Sequence, residues 1–179
     1  MKLSDMDHAQ FALLFAVRRS MRYHDRRRAF FERLHRVTNV LTILMAGSVL
    51  HQLGQDGEAA VWLVGLSVAA ALMAAVDMVL GYSSRAALHR ELKVRFAELE
   101  IAMLSGNDAP ETWVAHQVER LKIERDEPPI YHALDLLCHN ETAAAEGIKR
   151  SERPQDFETL TPWQRMTSHL FMWSDIGAR

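Results

Sequence analysis

A single cysteine, Cys138, stands among 179 residues, so no internal disulfide can form and no cysteine knuckle can hold a metal. The lone thiol fits a reducing compartment. An excess of positive charge is also missing: 21 Lys and Arg face 23 Asp and Glu, and the formal net charge of -2 speaks against nucleic acid as a partner. The N-terminal candidate for a secretory leader, FALLFAV at residues 11–17, is short, follows Asp5 and Asp7, and runs into Arg18 and Arg19 without a small-residue cleavage site. It reads as part of an amphipathic helix. No internal repeat and no sustained strand alternation occurs. There is no glycine-rich phosphate loop, no Gly-x-Ser-x-Gly elbow, no His-Glu-x-x-His pair and no repeated CxxC, and ERDE at 124–127 reads as a polar helix end. The expectation is a protein that is not an enzyme, with no catalytic residues, no cofactor and no metal.

What is present is a steep asymmetry of charge. Arg18, Arg19, Arg22, Arg26, Arg27, Arg28, Arg33 and Arg36 crowd the approach to the first apolar run, whereas most acids lie beyond residue 90. Residues 59–80, AAVWLVGLSVAAALMAAVDMVL, hold eighteen uncharged positions before Asp77, about 27 Å of helix at ~1.5 Å per residue, which matches a bilayer core. Residues 37–53 are shorter and less pure, carrying Thr38, Asn39, Thr42, Ser48 and His51. Between the two runs, HQLGQDGE contains acids but no Lys or Arg, and Arg85, Arg90, Lys93 and Arg95 follow the second run. Each Arg costs about 2.5–3.5 kcal/mol at the centre of a membrane helix, so basic flanks on both sides predict a two-helix transmembrane hairpin with both termini cytoplasmic. In that reading Arg22, Arg26, Arg27, Arg28, Arg33 and Arg36 meet anionic lipid headgroups. Phe30, Phe31 and Leu34 lead the chain into the bilayer, and Trp62 and Tyr82 occupy the two interfacial belts. Gly65 with Ala69 and Ala70 with Ala74 give small-xxx-small spacings, open either to close helix packing or to a plain Ala-rich helix.

After Tyr82 the pattern is that of helices in water. Leu88, Leu92, Phe96, Leu99 and Met103 recur at helical spacing. SGNDAP breaks this helix, with Asp108 as N-cap and Pro110 in the first turn of a second helix carrying Trp113, Val114, Val118 and Leu121. Pro128 and Pro129 stop it and start a third, whose face holds Ile130, Ala133, Leu134, Leu137 and Cys138 up to about Gly147. Thr161 and Pro162 open a last helix in which Trp163, Met166, Leu170 and Trp173 read as core in preference to a membrane-surface anchor. The predicted class is all-α: a basic segment over 1–36, a membrane hairpin over 37–82 with spans at 37–53 and 59–80, and a cytoplasmic helical bundle over 83–179 into which the long helices extend.

RYHDRRRAFFERLHRVTN entering the first run, the second run, IERDEPPIYHALDLLCHNE and LTPWQRMTSHL together resemble the SLATT family, over roughly residues 10 to 175. The family name denotes two-transmembrane effectors associated with nucleotide-second-messenger synthases and SLOG sensors. The resemblance implies a bacterial or prophage inner-membrane protein that oligomerises and forms a pore or disrupts the membrane in an antiviral conflict system. It also implies a sensor or signalling protein as partner. The chain departs from multi-domain members in having no nucleotidyltransferase domain of its own. Tyr23, His24, Glu127, Pro128, Pro129, Tyr131 and Asn140 match the resemblance most visibly. Physically the later five build a helix stop, a helix start and one turn of docking surface.

The polar residues of the two runs are the remaining candidates. Asp77, with Arg33 or Arg36 as the partner at similar depth, is either a functional carboxylate of a pore or an interfacial acid that snorkels to headgroups and water or pairs structurally. Asn39, Thr42 and Ser48 either line a lumen or bond back to their own helix. His132, Asp135 and His139 share a face but lack a fourth ligand, and Asp135 with His139 reads as an exposed helix pair. A non-conducting membrane-anchored scaffold, such as a prophage exclusion component, is the alternative to a pore, and a soluble helical binding module is a third reading.

Overall fold

The computed structural model describes residues 6–56, 61–106 and 109–173, with side chains from 52 to 56 excepted. The first helix starts on a capping box. Gln10 N donates to Asp7 Oδ1 at 2.8 Å and Asp7 N to Gln10 Oε1 at 3.0 Å, satisfying two donors that a helix start leaves open. From this cap α1 (His8–Asp56) runs for 49 residues. It contains no proline to break its hydrogen-bond ladder. The connector expected over 51–58 is therefore helical as far as Asp56, and Gly57 and Glu58 lie outside the described residues.

Only Gly81 separates α2 (Val61–Leu80) from α3 (Tyr82–Ser105), and it holds a φ of +60°. Gly81 N donates to Asp77 O and Arg85 N to Gly81 O, both at 2.9 Å, so the ladder crosses the junction. Arg85 Nε covers the Leu80 carbonyl at 2.9 Å. Pro110 occupies the first turn of α4 (Pro110–Arg125), as its position predicts, but the N-cap is Ala109, without a side-chain cap, in place of the expected Asp108, which lies outside the described residues. After the proline pair, α5 (His132–Ala145) ends on Gly147 at φ +81°. Ile148 N bonds to Ala143 O at 3.0 Å and Gly147 N to Ala144 O at 3.1 Å, a Schellman closure that needs a residue without Cβ strain. A 3-10 turn at Pro154–Asp156 precedes α6 (Pro162–Thr167). Thr161 and Gln164 form its capping box with Pro162 at N1. Among the described residues every regular element is helical, so the class is all-α.

The chain divides into two compact units, one of Met1–Arg27 with His89–Arg179 and one of Arg28–Leu88. In the first, Leu13, Leu14 and Val17 of α1 pack with Leu92, Phe96, Leu99 and Met103 of α3 and with Ile123 of α4. The stripe predicted on α3 is this core, apart from Leu88, which is exposed. On α4 Ile123 is buried and the expected Trp113 packs half-buried against this core, whereas Val114, Val118 and Leu121 face outward. A second cluster joins Tyr23 to Leu134 and Cys138. Burial pushes the Cys138 thiol up to about 12, which leaves it without nucleophilic thiolate at neutral pH.

In the second unit Phe31 faces Tyr82, with ring centroids 6.4 Å apart, and His35 faces Asp77, so α1 and α2 run antiparallel. Leu63 and Ala70 of α2 are buried, whereas Val61, Trp62, Val64, Val68, Leu72, Val76, Met78 and Val79 are exposed. The helix that starts at Val61 is long and apolar enough to cross a membrane, and only 11% of its most apolar stretch is buried. A core helix of a soluble protein would be mostly buried. Among the described residues it is the one helix that meets this criterion. The stretch expected as the other span is a continuation of α1, diluted by Asn39, Thr42, Ser48 and His51, with its last side chains outside those described.

Candidate functional site

The residues singled out from two distant segments meet in the first unit. The proline pair ends α4 and directs Glu127 and Tyr131 towards α1 from either side of the turn. His24 Nε2 lies 3.1 Å from Glu127 Oε1, and His24 Nδ1 lies 2.9 Å from His89 Nδ1 on α3. All three side chains are buried, His24 at 1% and His89 at 3% residue exposure and Glu127 at 6% side-chain exposure. A carboxylate only accepts, so His24 donates from Nε2. With His24 neutral, its Nδ1 accepts and His89 Nδ1 donates, which assigns opposite tautomers to the two imidazoles. Phe96, fully buried, stacks on His24 with ring centroids 5.6 Å apart. His89 carried no motif in the sequence, and only the packing of α3 on α1 reveals it.

Tyr23 and Arg27 extend the node. Tyr131 N donates to the Tyr23 hydroxyl at 3.0 Å, which satisfies an open donor at the start of α5. Burial raises the Tyr23 phenol to about 12, against the lowering effects of that hydrogen bond and of Arg27. The Arg27 guanidinium lies 4.1 Å from the Tyr131 ring centroid, and its Nη1 donates to the His169 carbonyl at 2.8 Å. Asn140 makes a paired amide clamp with the backbone of Glu158, donating and accepting at 2.8 Å each. It ties the segment after α5 back onto that helix. His139 donates from Nε2 to Asp156 O at 3.0 Å, and Asp135 pairs with Arg19 at 3.3 Å. The expected Asp135 with His139 pair is thus replaced by partners from elsewhere in the chain. Burial raises the Asp135 carboxyl above the usual range, with Arg19 opposing it.

The basic block divides in two. Arg18 binds Glu100 at 2.6 Å and Glu146 at 2.8 Å, and Arg26 pairs with Glu141. Burial lowers the Arg18 pKa, but its two carboxylate partners together outweigh that and hold it above its ordinary value. Arg22 lines a crevice of about 520 Å³ with Asp25, Lys93 and Glu100, and Arg27 is 4% exposed. These arginines serve the interior and the acid-rich faces of α3 and α5. Arg28 pairs with Glu32 on its own helix at 3.1 Å, and Arg33 and Arg36 are exposed.

In the second unit Asp77 Oδ2 accepts from His35 Nδ1 at 2.9 Å, and His35 Nε2 lies 3.1 Å from Asn39 Nδ2. The partner of Asp77 is thus His35, in place of the expected Arg33 or Arg36, both of which are exposed. The amide donates to Nε2 when the imidazole is neutral, giving a chain Asn39 to His35 to Asp77. Ser48 Oγ donates back to Met45 O at 2.8 Å. Thr42 Oγ1 and Asp77 Oδ1 are buried without a hydrogen-bond partner among the described residues. Of the small residues on α2, Ala70 is buried and Ala69 half-buried, while Gly65 and Ala74 are exposed. A Cβ at Gly65 would meet nothing within 4 Å. No family model, no curated protein and no solved structure matches the chain.

Proposed function

We propose that the chain inserts in the bacterial inner membrane as an antiparallel hairpin of residues 37–53 and 59–80, with both termini cytoplasmic. There it acts without catalysis, as an oligomeric effector that opens or disrupts the bilayer. The observation that carries this reading is the outward apolar surface of the second unit: Ile43 and Leu44 are 69% and 63% exposed, and Met78 and Val79 are 79% and 82% exposed. A soluble protein does not leave so large a contiguous apolar surface in water. Exposed Arg33, Arg36 and Arg85 flank that surface on one side, as a cytoplasmic boundary requires. One hairpin cannot enclose an aqueous path while shielding its polar groups from lipid, so several copies are needed. The SLATT-like motifs support the same assignment and supply the further proposals that a sensor or signalling protein triggers it and that the setting is antiviral or prophage conflict.

A non-conducting membrane-anchored scaffold is the second reading. Ser48 and Asn39 bond within α1 instead of offering free polar groups to a lumen, which favours it. Expression in a bacterial cell with a voltage-sensitive dye separates the two: activation of a conducting effector collapses the membrane potential, whereas a scaffold leaves it intact at the same expression level. Recovery in the soluble fraction without detergent would refute insertion altogether.

A further inference from the structure

The last helix presents its polarity the wrong way round for a segment in water. Thr167 and Ser168 are 4% and 1% exposed, while Trp163, Met166, Leu170, Phe171 and Met172 are between 53% and 69% exposed. The buried hydroxyls satisfy themselves on their own turn, Thr167 Oγ1 on Trp163 O at 2.8 Å and Ser168 Oγ on Arg165 O at 2.9 Å. The inversion therefore leaves neither hydroxyl without a partner inside, and the large apolar face outside is a built feature of the segment.

We propose that residues 163–172 form a membrane-surface contact, lying among the lipid headgroups of the bilayer that the apolar helices enter. This rests on the membrane reading above. Two observations choose lipid over protein. An exposed Arg165 sits among the Trp, Phe, Leu and Met side chains, the mixture that holds an element at an anionic interface. With 53% to 69% of ~200 Å² exposed on each, the five side chains present on the order of 600 Å², short of the roughly 800 Å² per partner of a stable protein interface.

Spin labels test this in the full chain, reconstituted in vesicles of phosphatidylcholine and phosphatidylglycerol. Met166→Cys, Leu170→Cys and, as a reference in α2, Val68→Cys are each labelled with a nitroxide; Cys138 is 0% exposed and stays unlabelled. The labels at 166 and 170 should be relaxed more by oxygen, which concentrates in lipid, than by a water-soluble nickel chelate, by a smaller margin than at 68. Preference for the chelate at 166 and 170, with 68 still lipid-like, would place the segment in water and overturn the proposal. Protection from both reagents would mean that protein covers the segment, and would overturn it equally. Chelate access at all three positions would defeat the membrane reading itself, and the proposal with it.

Discussion

At the scale of single residues, the buried node is where a small change has the largest expected effect. Glu127 accepts from His24 while almost fully withdrawn from water, and a buried polar chain is costly to break because each remaining member loses its partner. Glu127→Ala should lower stability by about 2–4 kcal/mol. Glu127→Gln retains an acceptor oxygen at the same place and should lose less. Thermal melts of the detergent-solubilised variants test this, and an Ala variant as stable as the Gln variant would show that the hydrogen bond contributes nothing. Tyr23, His24, Glu127 and Tyr131 were legible as candidates because their motif surroundings are distinctive. Their meeting was not, since positions 24 and 127 are joined only through the packing of α1, α3 and α4. His89 was invisible for a simpler reason: one histidine on an amphipathic helix looks like any solvated residue until its neighbours are known.

At the scale of elements, helices and their ends were read well where a local rule governs them. Pro110, the stop at Pro128 and Pro129, the end near Gly147 and Thr161 with Pro162 all act within a few residues of themselves, whereas the start expected at Pro129 falls at His132. The apolar stripe at 92, 96, 99 and 103 follows from period alone. Gly81 escaped, because a glycine between two helical patterns is compatible with a continuous helix and with a left-handed junction. Its φ of +60° settles which one forms. A residue with a Cβ is disfavoured there by roughly 1–2 kcal/mol, so Gly81→Ala should destabilise by about that amount even though a Cβ would meet Ser84 only at ordinary contact distance, 3.8 Å. Chemical denaturation followed by circular dichroism checks it. An unchanged midpoint would mean that α2 and α3 merge into one regular helix in the variant at no cost. The faces of α4 and α6 were also misjudged or left open, since apolar periodicity marks an amphipathic face without saying whether protein or lipid covers it.

At the scale of the whole molecule, the question is whether copies meet through the surface that the hairpin leaves outside. Within the chain, α2 turns Leu63, Ala70 and Asp77 inward, and Gly65 sits elsewhere on the helix with open space where a side chain would be. The small residue therefore has no packing role inside the monomer. Small residues on a membrane helix let a neighbouring backbone approach, and a branched side chain at the same place holds it off. Gly65→Leu separates the two levels, because leucine is a better helix former than glycine by several tenths of a kcal/mol and should leave the single chain folded. If oligomers form across this face, native mass spectrometry from mild detergent should show the distribution move from multimers towards monomer in Gly65→Leu, while Val68→Leu, a change between large residues, leaves it in place. An identical distribution in both variants would exclude Gly65 from the seam and turn attention to the exposed side of α1. Conduction and assembly would then separate as well: a monomerised Gly65→Leu chain that still collapsed the membrane potential would be incompatible with a pore built from several hairpins.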